Sequence, residues 1–537
     1  MVVYFYLEGQ SESRASKTLN LTEDLKPDYG DTLIIGTIAD ASLLIPMLAT
    51  DAMSHNVARH IFRGIVEYAP DLSIVGDLAE RYEISRDQKE ITFYLKRGVK
   101  WEDGVEVTAY DVEFGFKLIT SPDIPSSYAS DFLEVKEFKV LNPYVFKVTY
   151  KRPFALALSS WGNLVVLPRH LLQGKDLKYL QGVFGRKPVG NGPFKLKAWE
   201  TQNRIILEYN PLYSEGRAYL DRIVFRVIPD PSTLFMELRS FGVDWITLTP
   251  LQNRKFEEDP KMRENFQIYR YLAFAYTYLG YNLRDPLFKD KRVRKALCHA
   301  IDKRKIVNGA LLGQGIPAYG PYKPDAWFYN PEIEKSCEYN PIKALKLLEE
   351  AGYQRGKDGF LYSKEGKPFE FTILTNQGNL ARLLTAQIIQ QDLSKLGIKV
   401  HIRVMEWTTL IHQFIDKRRF QAVILGWTTG PDPDLYDIFH STKVKSPGLN
   451  FVGYENPEVD KLLEEGRYTL DREKRKSIYY KFQKILVEDQ PYTFLYIPMS
   501  LEAIHRRFRG IKPSAIGINY NIERWWVPKN EQKYVVP

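Results

Sequence analysis

The chain has 537 residues, too many for a single hydrophobic core, so we expect two or three domains. Its residues are 44% hydrophobic and 26% charged, as in ordinary globular proteins, and no stretch approaches the roughly 18 apolar residues of a membrane-spanning helix. The net charge is +9, but acids are interleaved with the basic residues. This mixture argues against nucleic-acid binding.

Residues 1–30 are interpreted as a linker or the remnant of an export signal. The apolar run from Val2 to Leu7 is short and has no basic residue before it. A signal peptide needs a basic start and a longer apolar region, and a lipoprotein signal also needs a cysteine. Two interpretations stay open, a cytosolic protein or an exported one whose signal is incomplete.

The first part of the chain is predicted to contain strands and two helices. Helical spacing marks His55 to Tyr68, and Thr108 is expected to cap a later helix with Asp111 at its third position. Alternating apolar residues predict strands at Thr32–Ile38, Tyr82–Ser85, Ile91–Leu95 and Phe194–Trp199.

The second half of the chain is predicted to alternate strands and helices. Strands are expected at Tyr276–Tyr281, Phe369–Leu374, Ile398–Val404 and Phe420–Gly426, and helices at Val293–Val307 and at Asn379–Leu396, the latter closed by Gly397. The continuously apolar strand before Gly426 is expected in the centre of a sheet. Ligands of open α/β sheets bind beyond the carboxyl ends of such strands.

The two cysteines, Cys298 and Cys337, belong to no CxxC or CxH pair. Cys298 falls in the apolar pattern of a predicted helix. We therefore expect it to be a buried structural thiol, and we expect no disulfide framework.

The stretch GWTTGPDPDLYDIFHST, residues 426–442, carries three carboxylates after the predicted central strand. Asp432 is interpreted as the cap of the next helix, with Pro433 at its first position and Asp434 in its first turn. A cytosolic hydrolase that uses Asp432 and Asp434 is an alternative. The chain has no GxSxG, HExxH or P-loop, and its eight histidines are scattered, so we expect neither a catalytic set nor a metal site.

Several segments, in order along the chain, resemble the family 5 extracellular solute-binding proteins, the dipeptide-, oligopeptide- and nickel-binding receptors of ABC importers. The resemblance runs from about Gly30 to the C-terminus. It is carried by Leu78–Val112, Gly190–Phe194, Phe288–Asp302, Tyr339–Pro341, Gly426–Trp427 with Asp432–Pro433, and Asn450–Pro457.

This resemblance implies an α/β, two-lobed periplasmic-binding-protein-like fold (class II, three domains) with the ligand cleft between the lobes. Residues 31–58, 190–270 and 499–537 would form domain I of lobe one, residues 59–189 an inserted domain II, and residues 271–498 lobe two, domain III. The lobes would close on the ligand by a hinge motion. The resemblance further implies a monomer without enzymatic activity or cofactor, outside the cytoplasm, whose partner is a membrane permease.

In peptide-binding members of the family, a Gly-Trp strand end offers backbone groups to an extended peptide. An aspartate three residues after the tryptophan pairs with the peptide's ammonium group, but here that residue is Gly430. Asp432 or Asp434 could substitute, or the ligand has no free amine. An arginine near Arg382 binds the peptide carboxylate in dipeptide-binding relatives, and a solvated surface arginine is the alternative.

The expected ligand-binding residues are Gly426, Trp427, Thr428, Asp432, Asp434, Arg382, Tyr278 and Ala52. Peptides are the favoured ligand. Oligosaccharides are the alternative, because aromatic residues make up 13% of the chain and sugars stack on such rings. Nickel is less favoured because no histidine cluster is evident.

Overall fold

The computed structural model describes residues 26–534 except residues 50, 125, 127, 165 and 447. The apolar run Val2 to Leu7 and the predicted linker before residue 26 lie outside the described residues. Within the described ranges, no helix has both the length and the apolar character needed to cross a membrane.

The strands of the described residues are Thr32–Thr37 (β1), Val66–Tyr68 (β2), Ile74–Gly76 (β3), Ala79–Ile84 (β4), Glu90–Leu95 (β5), Val135–Asn142 (β6), Val145–Tyr150 (β7), Phe194–Glu200 (β8), Arg204–Tyr209 (β9), Arg222–Val227 (β10), Trp245–Thr247 (β11), Phe266–Leu272 (β12), Ala275–Tyr281 (β13), Gly315–Pro317 (β14), Gln354–Arg355 (β15), Leu361–Tyr362 (β16), Glu370–Asn376 (β17), Lys399–Met405 (β18), Ala422–Thr428 (β19) and Tyr492–His505 (β20).

The α-helices of the same residues are Ala52–Ala58 (α1), Ala109–Ile119 (α2), Ala129–Phe132 (α3), Ser160–Asn163 (α4), Arg169–Leu172 (α5), Leu177–Gly182 (α6), Pro231–Arg239 (α7), Pro250–Glu258 (α8), Pro260–Asn265 (α9), Pro286–Lys289 (α10), Lys291–Ala300 (α11), Lys303–Ala310 (α12), Pro341–Glu350 (α13), Leu380–Ser394 (α14), Trp407–Thr409 (α15), Tyr436–Phe439 (α16), Pro457–Tyr468 (α17) and Arg472–Asp489 (α18). Short 3-10 or π turns cover Phe184–Arg186, Pro331–Cys337, Leu410–Ile415, Ser441–Lys443, Ile522–Arg524 and Lys529–Glu531.

A 12-stranded sheet runs through the molecule in the order β18-β17-β19-β13-β20-β11-β1-β10-β9-β8, with β12 and β14 also paired to β20. The first part of β20 pairs with β13 and β14, and the part from Met499 to His505 pairs with β12 and β11. One long strand therefore belongs to both halves of the sheet. A separate antiparallel sheet has the order β4-β5-β7-β6.

The buried side chains divide between the two halves. Two hydrophobic cores use residues before β13 and after Ile497, and two others use residues between Tyr276 and Ile497. We call residues 26–272 and 499–534 lobe one, and residues 275–497 lobe two. The two-lobed α/β fold is confirmed, while the finer division into three domains stays a prediction.

Local signals in the sequence predicted several elements correctly. Thr108 is the N-cap of α2, and its backbone N–H donates to the Asp111 carboxylate at 2.8 Å. Asn379 caps α14, and Gly397 follows that helix with a φ of 84°, the left-handed conformation that glycine tolerates. The predicted hairpin of β4 and β5 and the strand–helix–strand unit β17–α14–β18 are also confirmed.

Two predicted helices are wrong in extent. The helix expected at His55–Tyr68 is α1, which ends at Ala58 and is followed by β2. Residues 60–66 are all buried, so this run lacks the exposed face of an amphipathic helix. The helix expected at Val293–Val307 is divided into α11 and α12, because Asp302 accepts a hydrogen bond from the Lys305 N–H and caps a new helix.

The expectation of a free thiol at Cys298 is also wrong. Cys298 on α11 forms a disulfide with Cys337, which ends the turn Pro331–Cys337, and their Cα atoms are 5.8 Å apart. The residues are separated by 39 positions. No local spacing motif marks such a pair, because only the packing of α11 against this turn brings the sulfur atoms together.

Candidate ligand-binding site

The predicted Gly-Trp segment lies at the end of β19, where one side of the strand has no neighbour. Over its whole length β19 pairs with β13, but β17 pairs only with Ala422 and Val423. Within the described residues, Leu425 to Thr428 therefore has one strand neighbour instead of two. Gly426 and Trp427 are half-buried and Thr428 is exposed. We call Leu425–Thr428 on its β17 side the open edge.

Arg382 lies directly beside the open edge. It is in the first turn of α14, and its guanidinium donates to the side-chain oxygen of Asn376 at 2.8 Å. A Cβ placed on Gly426 would lie 3.1 Å from a guanidinium nitrogen of Arg382 and 3.0 Å from the Tyr276 carbonyl oxygen. Glycine at position 426 thus lets the arginine approach the strand.

Among the described residues, no anionic side chain balances the guanidinium of Arg382. Removal from water lowers its pKa, and the hydroxyl groups of Tyr496 and Tyr278 oppose that shift. No carboxylate of the described residues pairs with it within 4.0 Å. Arg382 is half-buried and held by Asn376, which differs from the alternative of a solvated surface arginine. A half-buried cation beside a strand edge is suited to an anionic group of a ligand.

The predicted contact Tyr278 lies in the core of lobe two. Its side chain is fully buried, and its ring stacks on that of Tyr492 with centroids 3.9 Å apart. The Nε1 of Trp427 donates to the Tyr492 hydroxyl at 3.3 Å, and the Trp427 ring lies 5.9 Å from that of Phe451. In this conformation Tyr278 therefore acts indirectly: it packs on Tyr492, and Tyr492 holds Trp427 through the hydrogen bond.

The interpretation of Asp432 as a helix cap is wrong. The next helix, α16, begins at Tyr436 with Leu435 as its N-cap. Both carboxylate oxygens of Asp432 accept from Arg475 on α18, at 2.7 and 2.8 Å. A bidentate pair with a buried guanidinium is stronger than a cap, and it draws the Asp-Pro-Asp segment onto α18 instead of into a helical turn.

Asp434 also faces an arginine. Its carboxylate lies 3.3 Å from the Nε of Arg467 on α17, and its side chain is 13% exposed. Asp432 and Asp434, one of the two alternatives for the missing ammonium partner, are thus both paired with protein cations. Their direct contact with a ligand stays a prediction.

Gly430, where the resemblance expects an aspartate, is exposed. A Cβ built on it would meet no atom within 4 Å. The loop therefore has no acid at position 430, although it has space for an acidic side chain.

The predicted contact Ala52 is on the opposite lobe, at the start of α1. It is exposed and follows Asp51, the N-cap of that helix. Burial, then the carboxylates of Asp437 in lobe two and Asp51 in lobe one, raise the pKa of Tyr128. Asp51, before α1, and Asp437, on α16 just after the loop that follows β19, are therefore near the same tyrosine on opposite sides of the interlobe boundary.

The lobes contact each other beside this loop. Arg467 of lobe two forms an ion pair with Asp131 of lobe one, and its backbone carbonyl accepts from the Ala155 N–H at 2.7 Å. The Ser130 hydroxyl donates to Asp437 at 3.1 Å. We call Arg467, Asp131 and Asp434 the interlobe latch. Local sequence patterns do not predict this latch, because its members come from three distant segments.

The candidate site offers no recognisable metal-binding arrangement. Among the described residues, no three His, Cys, Asp or Glu side chains are grouped closely enough to hold a metal ion. His440 caps the end of α16, is buried and stacks on Tyr436 with ring centroids 4.1 Å apart, so it has a structural role.

Comparison with known proteins gives the family. Residues 73–446 match "Bacterial extracellular solute-binding proteins, family 5 Middle". The sequence is 35% identical to oligopeptide-binding protein AppA of Bacillus subtilis over 98% of this chain and 97% of AppA. The chain belongs to family 5 of the extracellular solute-binding proteins. The resemblance found in its sequence is thereby confirmed.

Solved structures of ligand complexes are also similar to this family 5 protein. The structure of AppA from Bacillus subtilis with a nonapeptide has a TM-score of 0.87 and 34% identity, over 94% of this chain and all 100% of AppA. NikZ from Campylobacter jejuni with Ni(L-His) has a TM-score of 0.84 and 28% identity, over 92% and 99% of the two chains. DppA from Helicobacter pylori with the peptide STSA has a TM-score of 0.83 and 28% identity, over 94% and 99%.

Proposed function

We propose that this family 5 protein is the receptor of an ABC importer and binds peptides in the cleft between its lobes. The observation that carries the proposal is the open edge of β19 with the uncompensated Arg382 beside it. The receptor works outside the cytoplasm, delivers its ligand to a membrane permease and performs no catalytic step. The end-to-end similarity to AppA, solved with a nonapeptide, favours peptides over oligosaccharides or nickel complexes.

An extended peptide can join the open edge as an additional strand. Its backbone groups would pair with those of Leu425–Thr428, which makes binding tolerant of peptide sequence because side chains do not supply these bonds. Trp427 would offer an aromatic surface at the same place. Closure of the two lobes about the crossings near residues 272–275 and 497–499 would then enclose the ligand, with domains I and II on one side and domain III on the other.

The carboxylate end of the peptide is the group that Arg382 would bind. Arg382→Gln is expected to weaken binding of free-acid peptides roughly 10- to 100-fold, because a hydrogen bond to a charged group contributes about 1.5–3 kcal/mol. The same peptides with amidated C-termini should bind the variant and the parent protein equally. Isothermal titration calorimetry with each peptide pair measures both quantities.

Arg86→Gln provides a matched control, because Arg86 is an exposed arginine in the turn between β4 and β5 of lobe one. It removes one positive charge from the protein without touching the cleft. Equal losses for free-acid and amidated peptides in Arg382→Gln would refute the carboxylate role. A lack of binding for all peptides by the parent protein would instead refute the proposed function.

Substitutions at position 430 test how the protein recognises the amino terminus of a peptide. Gly430→Asp has room for its side chain, so the fold should be unchanged. Its carboxylate should tighten binding of peptides with a free amino terminus about 10-fold relative to N-acetylated ones, through a charge-assisted hydrogen bond. Gly430→Asn, with the same shape and no charge, is the control. Calorimetry showing the same acetyl-to-free ratio in both variants would contradict this expectation.

A further inference from the structure

Lobe two contains an open cavity that includes none of the candidate ligand-binding residues. Its volume is about 360 Å³, within the size range of small-molecule sites. Three arginines line it, Arg403 on β18 and the consecutive Arg418 and Arg419 before β19. We call it the arginine pocket. Arg418 and Arg419 precede the first residue of β19, whereas the open edge is at its other end, about 20 Å away at the rise of a strand.

No carboxylate in the described part of the chain pairs with the arginines of the arginine pocket. None of its three arginines forms an ion pair within 4.0 Å with a described carboxylate. By contrast, the buried Arg63, Arg467, Arg475 and Arg507 each pair with aspartates. The chain thus neutralises those four buried arginines. In the arginine pocket Arg403 and Arg419 are exposed and Arg418 is half-buried, and a bound anion would meet no competing described carboxylate there.

Arg418 is fixed in place with unused hydrogen-bonding capacity. Its guanidinium donates to the carbonyl oxygens of Ile415 at 3.0 Å and Gly448 at 2.7 Å. In the part of the chain that the structure describes, its Nε is buried and has no partner. Burial, then the charge of the neighbouring Arg284, lower its pKa, and Asp416 opposes them. An anion bound beside Arg418 would offset the repulsion from Arg284.

The residues that line the arginine pocket indicate a ligand with an organic part as well as an anionic group. Phe414 and Phe420 line it beside the arginines, and the guanidinium of Arg403 lies 5.2 Å from the centre of the Phe414 ring. The rings provide apolar surface for the organic part of a ligand. Three guanidinium groups suit a tetrahedral, doubly charged group better than a single carboxylate, since each can donate to a different oxygen.

We propose that the arginine pocket binds a phosphoryl group, carried either by a small phosphate monoester or by the headgroup of an anionic lipid. This site is independent of peptide binding in the cleft. A small phosphate would make it an effector site on lobe two, and a lipid headgroup would hold lobe two against a membrane surface. Both sources share the chemistry of the phosphoryl oxygens.

The test uses the full chain with inorganic phosphate, with glycerol 3-phosphate, and with vesicles of phosphatidylcholine containing phosphatidylglycerol. Saturable ³¹P line broadening by the two soluble phosphates, or co-sedimentation with the anionic vesicles but not with pure phosphatidylcholine, is the expected result. Binding of the soluble phosphates alone assigns a small ligand, and binding of vesicles alone assigns a lipid headgroup.

The variants Arg403→Gln and Arg419→Gln change exposed side chains, so the fold should be kept, and each should weaken binding at least tenfold. Arg86→Gln removes the same charge from lobe one and should bind as the parent protein does. Failure of every probe to bind saturably, equal binding by the pocket variants and the parent, or competition by acetate as strong as by phosphate would each overturn the proposal.

Discussion

Breaking the Cys298–Cys337 disulfide is expected to lower the free energy of unfolding of lobe two by about 3–4 kcal/mol. The bond closes a chain segment of 39 residues, and a cross-link over such a loop restricts the unfolded chain by roughly that amount. Both side chains are almost fully buried, so little solvent reaches the bond in the folded protein. Denaturant unfolding of the parent protein, with and without reductant present, measures the difference.

Cys337→Ala separates the cross-link from packing. It removes the bond but keeps the Cys298 thiol in the core, so its unfolding curve should coincide with that of the reduced parent protein. An unchanged midpoint on adding reductant would contradict the prediction. A stabilising disulfide also agrees with the proposed extracytoplasmic location, because disulfides persist in oxidising compartments.

The disulfide shows where local patterns stop predicting structure. Strand alternation in β4 and β5, the cap at Thr108 and the glycine after α14 are decided by neighbours within a few residues, and these predictions are confirmed. The Cys298–Cys337 bond depends on two elements packing together across a long interval. Spacing motifs carry no information about such a contact.

The same division holds at the candidate site. The family resemblance gave Gly426 and Arg382 as ligand contacts from separate segments, and the structure places the Arg382 guanidinium beside Gly426. Asp432 has the sequence pattern of a helix cap, yet it pairs with Arg475, which lies 43 residues further along the chain. The local preference is worth about 1 kcal/mol, and a buried bidentate ion pair overrides it.

The interlobe latch and the charged side chains around it include more acids than cations. Four carboxylates, those of Asp131, Asp432, Asp434 and Asp437, surround Arg467, Arg475 and Lys443. Burial, then the neighbouring carboxylates of Asp131, Asp432 and Asp437, raise the pKa of Asp434 to about 7 against the opposing charge of Arg467. Burial, with Asp437 and Asp432, also raises the pKa of Asp131 to about 6, although Arg467 and Lys443 oppose it. In this arrangement of the lobes, Asp434 therefore keeps near pH 6 a proton that an exposed aspartate would release.

Ligand affinity is accordingly expected to depend on pH. Aspartates exposed by opening would titrate near their ordinary pKa of about 4, so closure takes up protons above that value. The stabilisation of closure by this proton uptake is complete below about pH 4. It is lost as the pH rises through the pKa values of Asp131 and Asp434 in the closed state, about 6 and about 7. The dissociation constant for peptide should thus fall about tenfold from pH 8 to pH 6, one pKa unit being about 1.36 kcal/mol. Asp131→Asn should flatten this profile, and an equally steep profile in the variant would refute the linkage.

Removing the central cation of the latch should have the larger effect. Arg467 is 4% exposed on its side chain, and its replacement by methionine leaves Asp131 and Asp434 without their partner at the lobe boundary. Loss of one member of a buried ion pair costs roughly 3–5 kcal/mol. If this cost falls on the closed state, peptide binding weakens more than a hundredfold.

Arg475→Met is the matched control, because Arg475 is similarly buried but pairs with Asp432 within lobe two. Calorimetry and small-angle scattering should show weaker binding and a more open ligand-free protein for Arg467→Met, whereas Arg475→Met should lose stability without opening. If both variants bind and scatter alike, the contact between Arg467 and Asp131 does not control closure.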